Sequence, residues 1–321
     1  MKKTTPIIEF KEGEKVQGFY LCSEKHVRHT RTGERYLDLL LRDRTGQINA
    51  KVWDKVSEYN DKFDGGDPVA VSGAVEIFLE RPQLVVKRIN RASVQAYGRY
   101  GYDPVEIVPS SEKDPKQMWK ELMAIIKQIR NSHLRNLVMM IYQENKKKIF
   151  SHPASVSIHH NYRSGYLEHV LSMAKIGEKL APHYVLSKSL LLSGIILHDV
   201  GKIQEITSDL ESSFTNEGQF IGHIIMGRDM VIKSAAKMKG FPKDILLKLE
   251  HIILSHQGRY EWQSPRIPKF TEALLVHLID NLDAKMNIMK HAILEDVEEG
   301  SWTSGRNIFH TPLYKESNGS K

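Results

Sequence analysis

Between positions 14 and 95 apolar and polar residues alternate with a period of two, the pattern of half-buried strands. Leu37, Leu39 and Leu41 share one face of a strand over 35–42, and Ile48, Ala50 and Val52 share one face after the turn at Thr45-Gly46. Val16 to Cys22 reads as a strand before them, and the polar stretch 54–62 as a short helix after them. Two more strands, over 67–79 and 83–91, carry Val69, Val71, Val75, Ile77, Leu84 and Val86 around a turn at Glu80-Arg81-Pro82. Three strands, a short helix and two strands are the order of a five-stranded Greek-key barrel.

The pattern then breaks. Gly98, Gly101, Pro104, Pro109, Ser110, Ser111 and Pro115 make 98–115 a turn-rich linker. From Pro115 the spacing becomes helical, with Trp119, Leu122, Met123, Ile125, Ile126 and Ile129 on one stripe and similar spacing from Leu134 to Phe150. The expected organisation is therefore multidomain: an all-β barrel over 1–97, the linker, and an all-α domain over 116–321. Trp302, Phe309 and Tyr314 suggest that the last residues are tied down rather than free.

Composition narrows the setting. A chain of 321 residues can bury two cores. Its net charge of +7, from 46 Lys and Arg against 39 Asp and Glu, permits an anionic partner. The single cysteine, Cys22, excludes an internal disulfide and fits a reducing compartment. Positions 1–10 hold no apolar run of signal-peptide length, and the most apolar windows, 190–197 and 273–279, are too short to span a bilayer. The expectation is a cytoplasmic protein without a membrane partner, and a homo-oligomer is compatible with the sequence.

Charge and aromatic placement point to nucleic acid. Lys25, His26, Arg28, His29, Arg31 and Arg35 fall within eleven residues, read here as a long first loop. Tyr36, Lys51 and Trp53 lie on the strand faces opposite the aliphatic stripes, where cations meet phosphates and rings stack on bases. Taken singly, Trp53 suits core packing against the short helix. The run from Asp43 to Asp54, Asp-Arg-Thr-Gly-Gln-Ile-Asn-Ala-Lys-Val-Trp-Asp, resembles the third-strand region of nucleic-acid-binding OB-fold domains. That resemblance implies a groove over the second and third strands that holds single strands.

The helical half carries metal-ligand types at helix ends. His169 follows Gly165-Tyr166-Leu167-Glu168 at the opening of an apolar helix, and His198-Asp199 closes the next, followed by a turn Gly201 and Lys202. His223 stands between Gly222 and Ile224, His256 ends the helix from Asp244, and Asp280 lies in Leu278-Ile279-Asp280-Asn281-Leu282-Asp283. A lone His on an apolar helix is more often structural than a ligand, but an ordered set is harder to attribute to chance. Four imidazoles and two carboxylates suffice for two ions that share Asp199.

The order His169, His198-Asp199, Asp280 resembles the HD superfamily of metal-dependent phosphohydrolases, and His223 and His256 resemble the second-metal ligands of its binuclear members. Relatives often have paired histidines where this chain has His256-Gln257. With an OB-fold in front, the whole chain is similar to the YhaM-type 3′-to-5′ exoribonucleases of Gram-positive bacteria. The resemblance implies two divalent ions, manganese first, single-stranded RNA as substrate with single-stranded DNA as an alternative, and nucleoside 5′-monophosphates as products. It also implies catalytic roles for Asp199 and for Lys202, which is read either as a neutraliser of a phosphate oxygen or as a helix cap. Arg163, with Asn161 and Tyr162, is a candidate for gripping substrate, and Lys25, Arg28, Arg31, Arg35, Tyr36, Lys51 and Trp53 for holding the strand. His160 could be structural, Asp283 either orients a ligand or is exposed, and His159, His251, His277 and His310 match no motif position. The alternatives are an HD hydrolase of a small nucleotide with a regulatory barrel, and a non-catalytic binding protein with a vestigial centre.

Overall fold

A computed structural model describes residues 4–79, 81–156, 160–207, 212–294, 296, 298 and 300–315. The chain divides into two compact units between Ser110 and Ser111.

The first unit is a closed barrel. Its strands are β1 (Lys15–His29), β2 (Arg35–Asp43), β3 (Gly46–Val52), β4 (Pro68–Phe78) and β5 (Arg81–Arg91), with α1 (Val56–Asn60) between β3 and β4. Their order is β1-β2-β3-β5-β4, and closure comes from a parallel pairing of β3 with β5. The register sets Leu37, Leu39 and Leu41 beside Val52, Ala50 and Ile48, so the two aliphatic stripes face one core with Tyr20, Val71, Leu84 and Ile89. Asp43 fixes the β2–β3 turn. Its Oδ1 accepts the backbone N–H groups of Thr45 at 2.7 Å and Gly46 at 3.1 Å, while Oδ2 accepts that of Ile7 at 2.9 Å.

Two expectations about the barrel need correction. The basic stretch is not a long loop: β1 continues to His29, pairing Lys25 with Leu39 and Arg28 with Tyr36, and the connection is Thr30 to Glu34. From His26 to His29 the β1 side chains are exposed, so the apolar alternation that signals a strand disappears although the backbone stays paired with β2, whose Leu37 and Leu39 are still buried. Trp53 is not core either; it is 46% exposed. In the expected turn at 80–82, Glu80 lies outside the described residues, and Arg81 and Pro82 already belong to β5.

The stretch beyond β5 starts with α2 (Val94–Tyr97), and Tyr102, Ile107 and Val108 are buried with Leu21 and Ala92 on the first unit. Residues 98–108, read as linker, are thus packed rather than bare.

The second unit is helical: α3 (Pro115–Lys127), α4 (Ser132–Glu144), α5 (Lys146–Ile149), α6 (Gly165–His183), α7 (Lys188–Leu197), α8 (Lys202–Glu205), α9 (Asn216–Ile221), α10 (His223–Ala236), α11 (Lys243–Ser255) and α12 (Thr271–Leu294). Asp114 with Pro115 starts α3, and Asn131, Ser187 and Thr215 cap α4, α7 and α9 with their side chains. Helix α7 is the hub. Leu190 to Leu197 are buried on every side, so this helix is enclosed by α4, α6, α11 and α12 and delivers its C-terminal residues to the interior. The residues after α12 fold back on themselves, through a bridge from Trp302 to Tyr314 and an ion pair from Lys315 to Asp296 at 2.9 Å. Among the described residues no helix is long and apolar enough to cross a membrane.

Gly201 is required for packing, not for a left-handed turn. Its φ is −65°, but a Cβ there would stand 2.0 Å from the carbonyl oxygen of His223 and 2.6 Å from the nitrogen of Gly227. The start of α10 therefore lies directly against the end of α7. Alanine at Gly201 is expected to force these backbones apart and lower stability by about 1–3 kcal/mol. The check is the urea midpoint at constant slope, and an unshifted midpoint contradicts this account.

Candidate metal centre and nucleic-acid interface

Five helices bring the expected ligands to one place. His169 comes from the second turn of α6, His198 and Asp199 from the end of α7, His223 from the first residue of α10, His256 from the end of α11 and Asp280 from the middle of α12. They form two groups, His169 with His198 and Asp280, and Asp199 with His223 and His256, the ligand atoms of each group lying within 4.8 Å of one another. Asp199 faces both. Its Oδ1 is 3.3 Å from His256 Nε2 and 3.4 Å from His223 Nε2, while Oδ2 is 3.3 Å from His198 Nε2. His169, His198, Asp199 and His256 are buried, whereas His223 and Asp280 retain some exposure and mark the open side.

Every imidazole is held by its other nitrogen. His198 Nδ1 donates to the carbonyl of Ile195 at 2.7 Å, and His256 Nδ1 to that of Ile253 at 2.8 Å, each using a carbonyl left over at its own helix end. His223 Nδ1 lies 3.0 Å from Glu205 Oε1, which also accepts the His223 backbone N–H at 2.8 Å. His169 Nδ1 lies 2.8 Å from Asp283 Oδ2. With Nδ1 so engaged, each Nε2 lone pair is directed at the carboxylates, which is how imidazole ligands are oriented for a cation.

The donor set fits divalent ions. Among the described residues, His198 Nε2, His223 Nε2 and Asp199 Oδ1 are buried without a hydrogen-bond partner, an arrangement that costs free energy unless a ligand engages them. Imidazole and carboxylate together suit manganese, iron, zinc or magnesium. Charge is arranged accordingly. Burial opposes ionisation of Asp199, but Lys202 and His198 outweigh it and hold the carboxyl well below its usual range. Burial likewise opposes the charge on Asp280, yet its imidazole neighbours, His169 first and then His198, hold its carboxyl low. Lys202, its charge disfavoured by burial, is pushed up by Asp199, whose Oδ2 it reaches at 2.7 Å; its ammonium pairs with Asp199 rather than capping a helix.

Glu205 and His152 were hidden from the sequence, whereas Asp283 already stood out by its spacing from Asp280. Glu205 orients His223 across 18 residues, and no local spacing announces it. His152, buried and not singled out, lies with Nε2 2.7 Å from the backbone carbonyl of Lys202 and so supports α8. Asp283 is buried and engaged, not exposed, and His160 is its neighbour. His277 Nδ1 lies 2.8 Å from the carbonyl of His256. His159 lies outside the described residues.

On the barrel, Tyr36 and Trp53 stack with centroids 4.7 Å apart and planes at 29°, and Lys51 Nζ stands 5.4 Å from the Tyr36 ring. Arg28 reaches Asp38 at 2.7 Å, and Lys51 pairs with the same carboxylate. Arg31 and Arg35 are exposed at the ribbon end. Lys25 is apart from this set: its ammonium is bound to Asp64 and the carbonyl of Asn60, both at 2.9 Å. Arg163 belongs to the second unit, on the turn before α6.

Comparison with known proteins agrees with both units. The HD domain family matches residues 166–285, and the OB-fold nucleic acid binding domain family matches residues 25–92. A protein named 3′-5′ exoribonuclease YhaM from Shouchella clausii is 34% identical over 91% of this chain and 90% of its own length. Its namesake from Oceanobacillus iheyensis is 33% identical over 96% of this chain and 97% of its own, and that from Geobacillus sp. 33% identical over 92% and 90%. Similarity of this extent across both units means that the chain belongs to the family of the 3′-5′ exoribonuclease YhaM.

Proposed function

We propose that the protein is a metal-dependent 3′-to-5′ exoribonuclease that hydrolyses the terminal phosphodiester bond of single-stranded RNA and releases nucleoside 5′-monophosphates. The observation that carries this reading is the placement of Asp199, one oxygen toward His223 and His256 and the other toward His198, between two ligand groups of opposite helices. Two divalent ions, with manganese as the proposed metal, would be held by His169, His198, Asp199 and Asp280 and by Asp199, His223 and His256. Bound there, such ions supply Lewis-acid charge and an activated water.

The remaining work falls to the chain. Lys202 keeps Asp199 ionised through their contact and offers its ammonium to a non-bridging phosphate oxygen. Glu205 and Asp283 hold the His223 and His169 rings in their ligating orientation. Tyr36 and the exposed Trp53 stack bases, Arg31 and Arg35 meet phosphates whatever the sequence, and Arg28 and Lys51 do so by exchanging their shared partner Asp38 for phosphate. Lys25, with its ammonium already engaged, shapes the chain after α1 instead. Arg163 is the candidate phosphate contact of the helical unit.

His198→Ala and Asp199→Ala are each expected to lower hydrolysis of 5′-labelled single-stranded RNA in manganese at least about 1,000-fold, the scale on which an essential catalytic group acts, with oligonucleotide affinity unchanged. Full activity in Asp199→Ala overturns the assignment, and consumption of free nucleotides in preference to RNA or DNA selects the small-nucleotide reading. Trp53→Ala is expected to weaken oligonucleotide binding by about 1–3 kcal/mol, the worth of one stacked base, measured by fluorescence anisotropy. An unchanged affinity removes the stacked pair from the strand-binding surface.

A further inference from the structure

His169 faces Asp280 with one ring nitrogen, and with the other it begins a chain of hydrogen bonds that leads out of the centre. Asp283 Oδ2 accepts from His169 at 2.8 Å and lies 3.0 Å from His160 Nε2, and Asp283 Oδ1 accepts from Ser172. His160 Nδ1 is 2.8 Å from the Tyr162 hydroxyl, which is 3.1 Å from Glu168 Oε2. Glu168 in turn accepts from the Ser111 hydroxyl at 2.6 Å and pairs with Lys113 at 3.0 Å. Ser111 is the residue at which the helical unit begins, and its backbone N–H donates to the carbonyl of Arg163 at 2.9 Å.

The turn in the middle of this chain is held against its own preference. His160 and Ser164 have φ of +44° and +66°, left-handed values that a Cβ disfavours. A Cβ on Gly165 would stand 2.0 Å from the His160 carbonyl oxygen, so the turn closes tightly on the start of α6. Asn287, one turn beyond Asp283 on α12, accepts the His160 backbone N–H at 2.9 Å and fastens the turn from the other side. The other ligands are held differently: His198 and His256 by carbonyls of their own helices, and His223 by Glu205. Among the described residues, only the His169 half of the centre is anchored through this relay.

We propose that Glu168 and Tyr162 are positioning residues for His169, anchoring the His169–Asp283 pair to residues 111–113, so that the divalent-ion affinity of the His169–His198–Asp280 group depends on that segment. The inference rests on reading these residues as a divalent-ion centre. Orienting partners of metal ligands commonly change affinity by about 10–100-fold when removed. A purely structural relay would instead affect folding without distinguishing one ion from the other.

The test is calorimetric titration of the metal-stripped full-length protein with manganese chloride, alongside thermal unfolding. Wild type is expected to bind two ions. Glu168→Gln and Tyr162→Phe should each weaken one ion about tenfold or more and leave the other within about twofold. Glu205→Gln should weaken the complementary ion, and the double variant Glu168→Gln with Glu205→Gln should weaken both. Ser111→Ala should behave like Glu168→Gln, whereas Ser111→Thr, which keeps the hydroxyl, should bind as wild type. If Glu168→Gln and Tyr162→Phe leave both ions unaffected, or weaken both equally together with a lowered melting temperature, the relay is structural and the inference fails. A wild type that binds no divalent ion overturns the metal reading itself, and this inference with it.

Discussion

The rest of the helical unit depends on one buried carboxylate. Asp199 is 2% exposed, yet it stays ionised at the end of an apolar helix. Removing a carboxylate from water costs several kcal/mol even after relaxation, and only opposed charge and well-aimed donors offset that cost. Lys202 supplies the charge one turn later, and three imidazoles approach, His198 from the same helix end and His223 and His256 from two others. Each of those ends must therefore arrive within a few tenths of an ångström. The close contact of Gly201 with α10 and the enclosed position of α7 are the means by which this is achieved.

Helix termini solve the second problem, that of aiming the rings. The last carbonyls of a helix have no partner in the helix, and in α7 and α11 the terminal histidine takes one of them through Nδ1. The ring is then locked, with Nε2 facing the carboxylates. His223 opens a helix rather than closing one, so no such carbonyl is within reach, and Glu205 takes the role. His169 lies inside α6, where the carbonyls are already used, and it relies on Asp283. The two added carboxylates follow from where along a helix each histidine falls.

The barrel obeys a different constraint. Its interior is filled by aliphatic stripes whose pairing leaves the opposite faces of β2 and β3 to water, and Tyr36, Lys51 and Trp53 stand there because register assigns them to that side. The neighbouring ribbon of β1 and β2 carries Arg28, Arg31 and Arg35 at its end. A closed barrel with one basic, aromatic face and a helical unit with a buried ligand cluster are separate solutions to separate packing problems.

Local periodicity determined much of this by itself. Alternation at Leu37, Leu39 and Leu41 specified strands and their inner face, the break near Gly98 and Pro115 specified the change of class, and apolar runs ending in His198-Asp199 and His256 placed ligand types at helix ends. What periodicity reports is burial, and it falls silent where burial stops: the β1 side chains from His26 to His29 are exposed, so no alternation marks their backbone pairing, and Trp53 next to a buried Val52 carries no sign of its exposure. Only the tertiary structure decided who holds whom. Glu205 with His223, Asp283 with His169 and Ser111 with Glu168 are separated by 18, 114 and 57 positions, and hydrogen bonds across such distances leave no spacing in the chain from which to read them. The residue types were written in the sequence, but their orientation came from helices meeting end to end around a charge that could not be buried alone.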